Sequence, residues 1–190
     1  MFFAYILAGV MVFWLIAKHM NKQRNHEKAV EKVSGRLKKI CGKPGEVLKN
    51  ATLNLPEGKM TFDAVLMDKR GVYLVRTYGW GIKIYGTPDG AMWRREDAKR
   101  KEEFENPLLE LKKGAAEITK VMEENGVQNL KVMPMVVFAD NFQTPELYLG
   151  YGSFSTTYQE LKNWYKKQSG VKEVQYDYDK VSSIIKELAK

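Results

Sequence analysis

Between Thr61 and Trp93 the chain reads TFDAVLMDKRGVYLVRTYGWGIKIYGTPDGAMW, and few structures accommodate that stretch. Val65, Val72, Leu74 and Val75 favour strands, and Asp68 to Gly71, DKRG, is turn chemistry. The stretch therefore predicts two β-strands joined by a tight turn and the beginning of a third. Val132 to Phe138, VMPMVVF, is nearly all apolar and predicts a further strand buried on both faces. Asn106 followed by Pro107 predicts a capped helix that buries Leu108, Leu111, Ala115, Ile118 and Met122 and stops at Gly126. Strands alternating with helices make this an α/β chain with a mixed sheet flanked by helices.

Several landmarks occur in order: Gly45 and Glu46, Asp63 opening a strand, GVYLV entering the next strand, GWGIKIYG after it, Trp93, and Asn106, Pro107 and Glu110 in NPLLE. In that order and spacing, roughly Gly45 to Lys120, the chain resembles the nuclease-related domain family called NERD, a relative of the restriction-endonuclease fold. The resemblance implies a restriction-endonuclease-like mixed sheet. It also implies a site in which an Asp and a Glu, any residue, Lys motif on the next strand hold Mg²⁺ and handle the attacking water, because residues i and i+2 of a strand share a face. At the motif positions this chain has Arg76, Thr77 and Tyr78. An arginine puts a fixed positive charge where a carboxylate would hold a cation, and tyrosine is a poor base near neutral pH. The expectation is a nuclease-like scaffold without nuclease activity, with a degenerate site of Glu46, Asp63, Arg76 and Tyr78. No cofactor or metal is expected; if a metal binds, its ligands are Asp63 and Glu46. Asp63 and Arg76 are expected to face each other across adjacent strands with Glu46 close by, the guanidinium standing in for the metal; the alternative leaves Arg76 in solvent. The same triplet pattern at Asp97 to Lys99, Glu110 to Lys112 and Glu160 to Lys162 falls on predicted helix or loop, where i and i+2 do not share a face.

Charge distribution bears on the ligand. The formal net charge is +8, but Lys18 to Lys49 holds ten Lys and Arg against three Glu, while Asn50 to Lys190 holds twenty-one basic against twenty acidic residues. A nucleic-acid-binding domain normally carries its own basic footprint, so a nearly neutral globular part argues against that ligand. The one cysteine, Cys41, excludes an internal disulfide.

Met1 to Ala17, MFFAYILAGVMVFWLIA, has no charged residue and as helix spans roughly 25 Å, the short end of a bilayer core. It predicts a single transmembrane helix, over 1–19. The signal-peptide alternative lacks a basic leading region and a small-residue cleavage site. The basic residues from Lys18 to Lys39 all follow the run, which places the N-terminus outside and the domain in the cytoplasm of a single-pass cell-membrane protein. A basic juxtamembrane helix over 20–42 carries Ala29, Val30, Val33, Leu37 and Ile40 as an apolar stripe and offers its basic side to anionic lipid. His19 and His26 read as surface residues. A nuclease-related domain over 43–155 and C-terminal helices over 156–190 complete the division.

Within that domain Glu46 is expected near the start of a short helix, Arg94 to Glu105 as a solvated loop or helix face, Leu147 to Tyr151 as a strand, and Thr156 or Thr157 at the head of a helix. Gly79, Gly81 and Gly86 lack the context of a phosphate-binding loop. Three functions are compatible with this reading: a membrane-anchored, inactive nuclease-related domain that binds a protein, lipid or nucleic acid; an active nuclease using Mg²⁺ at a rearranged site of Asp63, Glu46 and Asp140 with Lys83; and a structural membrane-assembly protein.

Overall fold

The computed structural model describes residues 2–23, 25–98, 100–140, 143–168 and 176–190. Met1, Arg24 and Lys99, which enter the readings above, lie outside them. Helix α1 (Phe2–Gln23) carries exposed Tyr5, Leu7, Phe13 and Trp14. Its described side chains run from Tyr5 to Lys18, and among the described residues no helix is long and apolar enough to cross a membrane. Helix α2 (His26–Cys41) begins where the Asn25 side chain accepts from the Glu27 amide at 2.9 Å. The apolar helix therefore runs on to Gln23, and the basic helix starts at this cap rather than at residue 20.

The central sheet has the order β1-β2-β3-β7-β9. Its first three strands, β1 (Glu46–Leu55), β2 (Gly58–Asp68) and β3 (Gly71–Tyr78), form an antiparallel meander. The Asp68 to Gly71 turn is the predicted one, closed by the Arg70 amide donating to the Asp68 carboxylate at 2.9 Å. Gly71 sits at φ 142° with a would-be Cβ 2.1 Å from the Lys131 carbonyl, so no side chain fits there. Glu46, expected in a helix, opens β1 instead. Its neighbours Val47 and Leu48 pair with Leu66 and Val65, because the long β2 offers ladder partners to the whole of β1. β7 (Val132–Phe138) runs parallel to β3 as the predicted central strand, and β9 (Ser155–Thr157) runs parallel to β7. Thr156 and Thr157 are thus strand residues. The helix expected there, α4 (Leu161–Gln168), starts after the Glu160 amide donates to Thr157 Oγ1.

Helices cover both faces of this sheet. On one face α3 (Pro107–Glu124) and α5 (Tyr178–Leu188) bury Leu108, Leu111, Ile118, Val181 and Ile185 against Val65, Met67, Val72 and Leu74. On the other, α2 and α4 bury Ala29, Val33, Leu37, Leu161 and Tyr165 against Ala64, Leu66, Tyr73 and Val75. The apolar stripe of α2 is thus a packing face.

A second sheet has the order β6-β5-β4-β8, so the expected single mixed sheet is two mixed sheets. It comprises β4 (Lys83–Gly86), β5 (Met92–Glu96), β6 (Lys101–Glu105) and β8 (Glu146–Leu149). The charged run after Trp93 is the β5–β6 hairpin, because its opposite charges align across the strands, as in Arg95 with Glu102 and Lys101 with Glu96.

Candidate functional site

The site grows from an irregularity in β1 and β2. Phe62, Val65 and Met67 of β2 pack in the α3-facing core, as do Leu48, Ala51 and Leu53 of β1. Alternation therefore slips by one residue in both strands, at Asp63 and at Asn50 across from it, whose φ is 49°. The regular β2–β3 ladder ends at Ala64 with Val75. Beyond it, the Thr77 amide donates to the Asp63 carboxylate at 2.6 Å, so a side chain supplies the acceptor that a strand backbone otherwise would.

Asp63 is 5% exposed. A buried carboxylate is costly unless paired, and its partners come from two elements. Arg76 Nη1 of β3 lies 3.7 Å from Oδ1, and His26 Nε2 of α2 lies 3.2 Å from the same oxygen. The other guanidinium nitrogen of Arg76 donates to Glu110 of α3 at 2.7 Å and to the Thr61 carbonyl at 3.1 Å. One half-buried cation thus ties two carboxylates and the backbone of β2 together, where the strands part.

Tyr78, two residues on, points into an aromatic cluster. Its ring centroid is 4.8 Å from Trp80, 5.4 Å from Phe104 and 5.5 Å from Phe138. Burial pushes its hydroxyl up to about 12, against the opposing pull of Arg76. It is neither a charge nor a base near neutral pH.

Glu46 is absent from this group. It pairs with Met67, four residues beyond Asp63 and so roughly 13 Å along the strand. Its carboxylate accepts from Lys186 Nζ at 2.7 Å and from Ser182 Oγ at 3.3 Å. Lys83 lies in the second sheet opposite Glu96 and Glu146. Asp140, buried after β7, lines a cleft of about 570 Å³ with Trp80, Arg95 and Arg100. The structure therefore brings Asp63, Arg76 and, next along the strand, Tyr78 together, and places Glu46 and Lys83 elsewhere. Among the described residues no three His, Cys, Asp or Glu side chains cluster as a metal site. Sequence reasoning missed His26, whose only signal is its position in the first turn after a capping asparagine. It also missed the part played by Glu110, a helix residue four places after its cap.

The sequence model of the nuclease-related domain matches residues 22–139, more than half of the chain. The chain belongs to the NERD family. The NERD match takes in α2 and ends just past β7, so it contains Asp63, Arg76, Tyr78, Glu110 and His26 together. An uncharacterized protein of Bacillus anthracis is 32% identical over 96 residues, covering 50% of this chain and 44% of that protein. The NERD chain thus spans less than half the length of that relative. No solved structure matches it.

Proposed function

We propose that this chain is a membrane-anchored, catalytically inactive NERD domain that serves as a binding module at the cytoplasmic face of the cell membrane, built on a restriction-endonuclease-like fold. The observation that carries the reading is Arg76, whose guanidinium reaches Asp63 at 3.7 Å and Glu110 at 2.7 Å. A metal-dependent nuclease holds a cation between carboxylates so that it can polarise a phosphate and activate water. Here a side chain that cannot exchange, ionise water or leave takes up the same charge. Tyr78, neutral and packed among rings, supplies no ammonium beside it. The distance between Glu46 and Asp63 along β2 supports the same conclusion, since the two do not form a ligand pair. Neither Mg²⁺ nor another cofactor is part of this reading.

The exposed apolar length of α1 and the basic residues that follow it support the anchor, with the basic flank on anionic lipid and the N-terminus outside. The partner of the module is a protein or a nucleic acid: the family likeness favours nucleic acid, and the near-neutral globular part favours protein.

The test is cleavage of single- and double-stranded DNA and RNA by the full-length chain in detergent with Mg²⁺ or Mn²⁺, beside Arg76→Glu/Tyr78→Lys and Asp63→Ala. The reading predicts no turnover in the native chain. Cleavage that disappears in Asp63→Ala would instead establish an active nuclease with a rearranged site.

A further inference from the structure

The basic excess of the chain is concentrated before Asn50, and on α2 it takes a definite shape. Lys32, Arg36 and Lys39 follow one another at steps of four and three, which puts them on one stripe of the helix beside its buried face. Between this stripe and the turn after β9 runs a groove of about 490 Å³, with Tyr158 on its far wall and Gly35 in its lining. A Cβ on Gly35 would meet nothing within 4 Å, so the space there is open. Lys32 Nζ lies 4.7 Å and Arg36 Cζ 4.6 Å from the centroid of the Tyr158 ring. Two cations are thus gathered on one aromatic ring, and Arg36 is steadied by donating to the Gln159 carbonyl at 3.4 Å.

Several basic side chains elsewhere in the domain meet carboxylates, as Arg95 with Glu102, Lys112 with Asp89 and Lys186 with Glu46. Among the described residues neither Arg36 nor Lys39 has such a partner, and both line the groove. Like charges held together on a fixed stripe repel one another, and an anion between them relieves that repulsion. A guanidinium and an ammonium side by side suit a phosphate, the first by its planar fork and the second as a point charge.

We infer that this groove is a phosphate-binding site, taking a phosphomonoester carried either by a lipid headgroup or by a small soluble ester. The stripe from Lys32 to Lys39 covers about 10 Å of helix, room for one or two phosphates and no track for a polymer. The lipid source rests on the membrane reading proposed above; the soluble source does not.

The test is a ³¹P NMR titration of the full-length chain in uncharged detergent micelles, with inorganic phosphate in one arm and micelles doped with phosphatidate in the other. Saturable binding in either arm is expected, weakened about tenfold or more in Arg36→Gln/Lys39→Gln. A control of equal charge change, Lys59→Gln/Lys120→Gln, is expected to stay within about twofold, because those lysines lie away from the groove. Tyr158→Leu keeps the cations and removes the ring, and a several-fold weakening is expected there. Saturation with inorganic phosphate supports the site whatever α1 does, and saturation with phosphatidate alone assigns the headgroup source. Absence of saturation in both arms, or equal loss in the site and control variants, would overturn the inference.

Discussion

Two aspartates five residues apart on β2, Asp63 and Asp68, are both buried, at 5% and 3% exposure, and are held by different partners. Asp68 closes its own turn by accepting from the Arg70 amide and takes a short hydrogen bond from the Tyr165 hydroxyl, with the phenols of Tyr73 and Tyr176 nearby. These two bonds, from an amide and a phenol, hold the β2–β3 turn against α4. Asp63 sits where β2 and β3 part and faces a guanidinium, an imidazole and one backbone amide. The difference separates a carboxylate used as a turn cap from one left at a strand opening. At Asp63 a second element, α3, has sent Glu110 to share the same cation.

Breaking the pair at Asp63 should cost most. Arg76→Met leaves the carboxylate buried with only the Thr77 amide and an exposed histidine, and urea denaturation should show a loss of about 2–4 kcal/mol. Adding Asp63→Asn to Arg76→Met should return part of that loss, because the unpaired charge is gone; a double variant as unstable as the sum of the singles would deny the coupling. At the other aspartate, Tyr165→Phe removes one hydrogen bond to a charged acceptor, and about 1–2 kcal/mol is expected by the same measurement. Glu110→Gln tests the exposed end of the network and should cost less than about 1 kcal/mol, since the Glu110 side chain is half exposed.

The last effect is absent at neutral pH and appears only in alkali. Burial raises the hydroxyl of Tyr78 from 10.0 to about 12, so between these values the folded chain keeps a proton that the unfolded chain has lost. Stability should therefore be intact below about pH 10 and fall as pH rises towards 12. Tyr78→Phe should flatten that decline in thermal melts, and an unchanged decline would shift the cause to the tyrosines around Asp68.

The same contrast shows what could be read from sequence. The β2–β3 hairpin, β7 and α3 were legible because each is written locally, in DKRG, in an unbroken apolar run and in Asn106 with Pro107. Glu46 was misread as helical because a Gly-Glu pair resembles a helix start, and only the length of β2 decides that β1 begins there. The β5–β6 hairpin was hidden because its charges align across strands, a pairing that only the folded register reveals. At the site, Asp63 and Arg76 were legible as neighbours across adjacent strands. Glu110 and His26 reach them across 34 and 37 residues of chain, and nothing local announces such contacts.

The account stands on Arg76 taking the place of a metal ion, and calorimetric titration of Mn²⁺ into the full-length chain tests that directly. No saturable heat is predicted for the native chain. In Arg76→Glu, where Asp63, Glu110 and the new carboxylate would lie together, binding is predicted to appear. Stoichiometric binding by the native chain that is lost in Asp63→Ala would contradict the account.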